Sequence, residues 1–177
     1  AIYARLAELG ILAAIHKELI WDSWLDERFH TILSGQPDPY WINFIGKIEQ
    51  KERINIAYIL WLLRLSPGIA RNISERLKLS TELRRMVQST IYLRQNLPDI
   101  EKQKPSVVTS LLSDIHPLGI YALYCAIDEE AQKDVISRYI QVWRNISPTI
   151  SGHDLRNQGI PPGPVYRNIL EALRYAW

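Results

Sequence analysis

The spacing of the apolar residues is the feature that most limits how this chain can fold. Leucine and isoleucine together supply 46 residues and valine only 6, and they recur three or four positions apart, as along one face of an α-helix. No alternating apolar–polar run of useful length and no hairpin signal is present. Because leucine favours helices and strand-rich chains usually carry more valine and threonine, the sequence predicts an all-α fold, a multi-helical body with a small helical tail.

Serine, proline and glycine mark the ends of the predicted helices. Ser66 and Ser80 are predicted N-caps, Pro67 fits a first helical position, and Gly10 fits a helix stop. The pattern predicts about eight to ten helices of ordinary length. They include helices at residues 2–9, 19–33, 52–65 and 128–143, with a short helix at 154–158 and a last one from 164 to about 176. Residues 52–65 are apolar almost all round, which predicts a central buried helix.

The composition excludes several classes of protein. Apolar residues make up 47% and charged residues 23% of the chain, which excludes a disordered polypeptide. No segment reaches the roughly 18 to 20 apolar residues that a membrane span needs. The single cysteine, Cys125, excludes a disulfide framework and a cysteine-based zinc site. We expect a reducing, cytoplasmic compartment and no membrane partner.

The two ends of the sequence lead us to expect a piece of a longer protein. Residue 1 already lies in a helical pattern, and the chain stops abruptly at Trp177. The composition changes at Ser147-Pro148, where a segment rich in glycine and proline begins. We therefore predict three parts: a first helical region (1–35), a helical body (36–147) and a tail (148–177).

The residues that often carry catalysis form weak patterns here. The four histidines are scattered, which argues against a metal site. Asp22 and Asp26 are one helical turn apart, a spacing compatible with an acid/base pair, although a solvated acidic face explains it better. Asp128 and the two glutamates after it fit an N-cap and a first helical turn. Cys125 lies in an apolar string and is predicted to be a core residue. A small hydrolase is therefore the least supported function.

The positive charge is concentrated in the middle of the chain. Residues 64–104 contain nine basic and four acidic residues, a net charge of +5, whereas the whole chain carries only +2. A one-sided basic patch is typical of nucleic-acid binding, and ordinary exposed helix faces are an equally good explanation on charge alone. Arg84 and Arg85 are the adjacent pair in this segment.

The glycine- and proline-rich tail is the sharpest local feature. Gly163 fits an N-cap and Pro164 a first helical position. The unpaired N–H groups of such a helix terminus attract phosphate, and Arg156 and Arg167 flank the same loop. The pattern is analogous to helix–hairpin–helix elements that hold nucleic-acid backbones. A tight corner between two helices without a ligand is the alternative.

The tail and the body resemble the C-terminal region of bacterial class II tRNA nucleotidyltransferases and poly(A) polymerases, the CCA-adding or A-adding enzymes. The tail residues that match are Ser151, Gly152, Asp154, Leu155, Gly159, Pro162, Gly163, Pro164 and Leu170. Residues 6–12 and 15–19 are similar to the end of the family's neck, and residues 76–80 to part of its body. The resemblance therefore implies that the first helical region (1–35) is the end of a neck-like helical region. The family's Glu-Asp-x-x-Arg neck motif and its catalytic head are absent from this sequence.

The resemblance implies a module that holds tRNA by its acceptor and TψC arms while a head domain, joined through the neck, adds nucleotides to the 3′ end. This chain would then carry no catalytic residue, metal ligand or cofactor, whereas Mg²⁺ and ATP or CTP would belong to the head. The predicted RNA-binding residues are Arg84, Arg85, Gly152, Asp154, Arg156, Gly159, Gly163, Pro164 and Arg167. A non-enzymatic helical domain that binds protein partners is the alternative, motivated by six tryptophans and nine tyrosines.

Overall fold

The structure is a computed structural model that describes residues 2–146 and 150–175, and every regular element within those ranges is helical. The all-α prediction is confirmed, with more helices than expected. The α-helices are α1 (Ile2–Glu8), α2 (Ile11–Ile15), α3 (Ser23–Ser34), α4 (Pro39–Ile45), α5 (Gln50–Leu62), α6 (Pro67–Arg76), α7 (Thr81–Gln95), α8 (Pro105–Ser113), α9 (Pro117–Ala126), α10 (Glu130–Gln141), α11 (Gly152–Asn157) and α12 (Pro164–Tyr175), with 3₁₀ turns at Ile100–Lys102 and Trp143–Asn145.

Helix α5 is the centre of the body, as its apolar sequence predicts. It packs against α3, α7 and α9, and Ile56, Ile59, Leu60 and Leu62 are completely buried. The second half of α5 is surrounded by other helices and has little solvent face to fill with polar residues, which explains why residues 56–62 are almost entirely apolar, whereas the first turns are partly exposed.

Helices α7 and α9 also lie close together, and a glycine makes this possible. Gly119 of α9 faces the hydroxyl of Thr90 of α7, so a methyl group at Gly119 would collide with Thr90. The Thr90 hydroxyl is buried and donates a hydrogen bond to the carbonyl of Met86 (2.7 Å). The pair therefore fixes the distance between the two helices.

Helix α3 begins later than its apolar pattern predicts. The expected helix started at residue 19, but α3 starts at Ser23 because the carboxylate of Asp22 accepts a hydrogen bond from the N–H of Leu25 (3.0 Å). This is an N-cap, which ends the helix on its N-terminal side. Leu19 is still buried, and the carbonyl of Ile20 accepts from the Trp61 indole (3.1 Å).

The predicted start of α10 at Asp128 is wrong. The helix begins two residues later, and Glu129 occupies the N-cap position without capping through its side chain. Asp128 instead forms an ion pair with Arg28 of α3. The predicted end at Trp143 is also too late, since α10 ends at Gln141 and a 3₁₀ turn follows.

The tail consists of α11 and α12, which pack against each other, and α12 packs against α8 of the body. Helix α11 begins at Gly152, two residues before the predicted start. The predicted boundary at Ser147-Pro148 and the predicted end of the last helix near Ala176 lie outside the described residues. Within the ranges that the structure describes, no helix has the length and apolar character to cross a lipid bilayer.

Candidate nucleic-acid interface

Helices α6 and α7 form an antiparallel helical hairpin that carries much of the positive charge. We call α6, residues 77–80 and α7 the basic hairpin. Between residues 67 and 95 it contains six basic and two acidic side chains, a net charge of +4. The side chain of Gln88 on α7 donates to the carbonyl of Pro67 at the start of α6 (3.1 Å), which ties the open end of the hairpin.

The turn of the basic hairpin is built from local hydrogen bonds. Lys78 adopts a left-handed backbone conformation (φ +54°), and the N–H of Leu79 donates to the carbonyl of Ser74 (2.9 Å). This is the Schellman arrangement that ends many helices. The hydroxyl of Ser80 then accepts from the N–H of Leu83 (3.2 Å) and caps α7, which confirms the predicted N-cap.

Within the described part of the chain, the basic side chains of the basic hairpin have no carboxylate partners, unlike several basic side chains elsewhere. Among the ion pairs of the described residues, none involves a lysine or an arginine of α6 or α7. Arg71, Lys78 and Arg85 are exposed. By contrast, Lys133 and Arg138 of α10 lie beside acids of their own helix. The hairpin therefore presents charge that is not neutralised within the described part of the chain.

The two predicted arginines of α7 have different surroundings. Arg85 is exposed, whereas Arg84 is half-buried. Arg84 Nη2 donates to the hydroxyl of Thr81 (3.3 Å), and Arg84 Nε is buried without a partner in the described structure. Arg85 is thus the more accessible of the two for an incoming anion.

Tyr92 is a residue of this surface that the sequence reasoning missed. Its side chain is 56% exposed and lies seven residues after Arg85, on the same face of α7. The signal was present, because the i+7 spacing places an aromatic residue on the same helix face as an exposed arginine, about two turns away. Exposed aromatic side chains on which bases stack are common on RNA-binding surfaces.

The predicted tail residues Gly152 and Asp154 have structural roles in α11. The carboxylate of Asp154 accepts from the N–H (2.8 Å) and hydroxyl (2.6 Å) of Ser151, and the N–H of Asp154 donates back to that hydroxyl (3.4 Å). These hydrogen bonds lower the pKa of Asp154. A Cβ on Gly152 would lie 3.4 Å from the ring of Tyr166, so Gly152 lets α12 approach α11.

The loop between α11 and α12 turns at Gly159 and is held by Tyr166. Gly159 has a left-handed backbone (φ +80°), and the N–H of Ile160 donates to the carbonyl of Leu155 (3.1 Å). The Tyr166 hydroxyl donates to the carbonyl of Ile160 (2.7 Å). Pro164 is the first residue of α12, as predicted, and the carbonyl of Gly163 accepts from the N–H of Tyr166 (3.0 Å).

The predicted RNA-binding residues therefore fall into two groups. One group is Arg84 and Arg85 on the basic hairpin. The other is the tail, where Arg156 lies in the last turn of α11 and Arg167 follows the start of α12, both with exposed side chains. The assignment of these residues to RNA stays a prediction.

The side chains considered for catalysis have structural partners. Asp22 pairs with Arg64 (2.7 Å). Its burial favours the protonated form, but hydrogen bonds from Leu25 and Arg64 outweigh this effect and hold the pKa below its ordinary value. Burial raises the pKa of Cys125 to about 11, so its thiol is protonated at neutral pH. Among the described residues, no three His, Cys, Asp or Glu side chains are grouped to hold a metal ion.

Comparison with known proteins gives one partial relationship. In an alignment 85 residues long that covers 43% of this chain, the sequence is 31% identical to the A-adding tRNA nucleotidyltransferase of Halalkalibacterium halodurans. The aligned region covers 19% of that enzyme, so the chain spans about a fifth of the length of this curated relative. No family model matches the sequence, and no solved structure matches it. Part of this chain is thus distantly similar to a tRNA nucleotidyltransferase.

Proposed function

We propose that this chain is an RNA-holding module related to tRNA nucleotidyltransferases, which binds tRNA while a separate catalytic head adds nucleotides to its 3′ end. The proposal rests on the basic hairpin, whose exposed basic side chains have no carboxylate partners among the described residues. The partial similarity to an A-adding tRNA nucleotidyltransferase supports tRNA as the nucleic acid. Mg²⁺ and ATP or CTP would be bound by the head.

Phosphate contacts explain how such a hairpin would act. Arg71 lies on α6, Lys78 in the turn and Arg85 on α7, a spacing that suits the successive phosphates of an RNA backbone. Proteins recognise double-stranded RNA mainly by its shape and by phosphate and 2′-hydroxyl contacts. We infer that the module reads the duplex of the acceptor and TψC arms rather than a base sequence.

The tail would supply a second contact with the RNA backbone. The Gly159–Gly163 corner precedes α12, and Arg156 and Arg167 are exposed beside it. The capping of α11 by Ser151 and Asp154 and the hydrogen bond from Tyr166 to Ile160 hold the corner in one conformation. A preorganised corner loses little conformational entropy when RNA binds.

The test is a titration of the chain with a labelled tRNA transcript at several salt concentrations. Binding through phosphates weakens with salt, by about 0.9 log unit per contact for each log unit of salt on B-DNA and about 0.7 on single strands. The double variant Arg71→Gln, Arg85→Gln should bind more weakly, and its salt slope should fall by about 2, roughly one for each lost contact.

The matched control is the double variant Lys51→Gln, Arg138→Gln. It removes the same two charges from exposed positions on α5 and α10, so it tests whether net charge alone drives binding. We expect it to retain most of the affinity and the salt slope. Binding that does not depend on salt, or equal weakening by the two double variants, would exclude the proposed interface.

The exposed groove between α7 and α8 favours a second candidate function, the binding of a protein partner. Tyr92, Val107, Leu111 and Ile115 line this groove, whose volume is about 700 Å³. An apolar groove of this kind can accept an amphipathic helix. A complex with a protein that forms without RNA and is lost on Leu111→Glu, with tRNA binding absent, would support this function instead.

A further inference from the structure

A cleft of about 510 Å³ lies where five helix ends meet, and one of its lining residues, Arg94, is at the end of the basic hairpin. The C-terminal ends of α5, α7 and α9 and the N-terminal ends of α3 and α10 contribute its walls. We call it the helix-end cleft. Its volume is within the range of about 300–1,000 Å³ that is usual for small-ligand sites.

The floor of the helix-end cleft is apolar and its wall is aromatic. Leu97, Leu123 and Ile127 are buried residues that line it. The wall is the indole of Trp24, and the guanidinium groups of Arg28 and Arg64 lie 5.1 and 5.0 Å from the centre of its ring. These cation–π contacts fix the orientation of the indole. Because the two guanidinium groups lie over the indole, the apolar surface that remains for a ligand is the floor.

The cations around the cleft differ in their partners. Arg64 is paired with Asp22 (2.7 Å), and Arg28 is paired with Asp128. Arg94 donates one long hydrogen bond to the carbonyl of Leu63 (3.4 Å) and is in none of the ion pairs found within the described ranges. Its remaining donors are therefore the groups that an anionic ligand would meet.

We propose that the helix-end cleft binds a nucleoside phosphate, with the phosphate on Arg94 and the base on the apolar floor. Gln132 and Asp128 line the same cleft and supply an amide and a carboxylate for the polar edge of the base. Arg94 lies at the C-terminal end of the basic hairpin, but the variants that test RNA binding change Arg71 and Arg85, which do not line the cleft, so the two proposals can fail separately. The nucleoside phosphate is either a free nucleotide or a nucleotide residue of an RNA strand.

The test is isothermal titration calorimetry of the full chain with AMP, adenosine and inorganic phosphate. AMP should bind at least about tenfold more tightly than adenosine or phosphate, because only AMP meets both the cation and the floor. Arg94→Gln should weaken AMP binding about tenfold, since it removes a charge-assisted hydrogen bond. The exposed control Arg138→Gln, on α10 and outside the lining of the cleft, should leave AMP binding unchanged.

A second variant tests the cleft without changing its charge. Ala126 lies on its wall and is partly exposed, so Ala126→Phe should fill the space and abolish AMP binding while the helical circular dichroism is retained. Equal binding of AMP by Arg94→Gln and the unchanged chain would overturn the proposal. Inorganic phosphate that binds as tightly as AMP would also overturn it, because the site would then recognise only an anion.

Two further ligands distinguish the sources of the nucleoside phosphate. A single-stranded trinucleotide that binds more tightly than AMP, with the same loss on Arg94→Gln, would identify a nucleotide residue of RNA. Tighter binding of AMP than of the trinucleotide would identify a free nucleotide. The cleft would be excluded as a site if AMP did not bind at all and the trinucleotide bound equally well to Arg94→Gln and to the unchanged chain.

Discussion

The body and the tail of this chain are held together by different interactions. The centre of the body is α5, whose buried residues contact helices far away in the sequence. In the tail, α12 packs against α8, but the hydrogen bonds that hold α11 and its loop join residues at most six positions apart, such as those from Ser151 to Asp154 and from Tyr166 to Ile160. We therefore expect the body to unfold as a cooperative unit and α11 and its loop to open locally.

The largest effect is expected from a cavity in the body. Leu60 is fully buried in α5, and removing a buried leucine side chain usually costs about 2–5 kcal/mol. Leu60→Ala should therefore lower the free energy of unfolding by about 3 kcal/mol in urea denaturation. Ile54 is exposed on the same helix, so Ile54→Ala is the control and should change little.

Replacing a buried leucine by alanine in the tail should affect unfolding differently from the same replacement in the body. Leu155 is also buried, but it belongs to α11, whose other contacts are mostly local. We expect Leu155→Ala to raise amide exchange in the tail and to shift the main urea transition of the body less than Leu60→Ala does. Equal shifts of that transition would show that tail and body unfold together and would contradict the comparison.

A smaller effect is expected at the turn that ends α11. Gly159 has a positive φ, which costs a residue with a side chain about 1–2 kcal/mol. Gly159→Ala should destabilise the tail by roughly that amount, measured as faster exchange of the α11 amides. Gly163 has open space around its Cα and no positive φ, so Gly163→Ala is the matched control with little expected change.

Acid should loosen α11 in the tail through Asp154. Its hydrogen bonds to Ser151 lower its pKa below the ordinary value of 3.8, so the carboxylate stabilises α11 above that value. The stabilisation is lost as the pH falls through the lower pKa of the folded state. Exchange of the α11 amides, followed from about pH 5 to pH 2, should show this loss.

The control for the pH experiment is Asp154→Asn. The amide cannot ionise, so the variant should lack this pH-dependent step and should have a less stable α11 at neutral pH. A step of the same size in the variant would mean that another acid is responsible.

Local sequence signals predicted the parts of the structure that depend on neighbours in the chain. The N-caps at Ser66 and Ser80, the start of α12 at Pro164 and the stop at Gly10 all require only residues within one helical turn. The buried position of α5 was also predictable, because a segment without a polar face has to be covered.

Long-range contacts explain the errors and omissions. The sequence predicted an N-cap at Asp128, but its carboxylate is paired with Arg28, which lies one hundred residues earlier in the chain. Asp22 resembled half of a carboxylate pair, but it caps α3 and pairs with Arg64. The helix-end cleft needs five helix ends to meet, and no local pattern in the sequence contains that information. The exposure of Tyr92 likewise depends on the packing around α7.

The smallest effect on stability is expected for the exposed arginines, and here too the two regions should differ. Arg156 lies in the last turn of α11, where a positive charge favours the helix dipole, typically by about 0.3–1 kcal/mol. Arg85 lies near the start of α7, where a positive charge is unfavourable to the dipole. Arg156→Gln should therefore loosen α11 slightly, whereas Arg85→Gln should leave the unfolding free energy unchanged within about 0.5 kcal/mol.

These two variants separate stability from binding when each is also titrated with tRNA. If Arg85 contacts phosphate, Arg85→Gln weakens tRNA binding while its urea transition matches that of the unchanged chain. If both variants lose tRNA binding in proportion to their loss of stability, the arginines act by holding the helices in place. Weaker binding in Arg85→Gln with an unchanged transition would instead assign its charge to the RNA, because no folding contact of Arg85 would account for the loss.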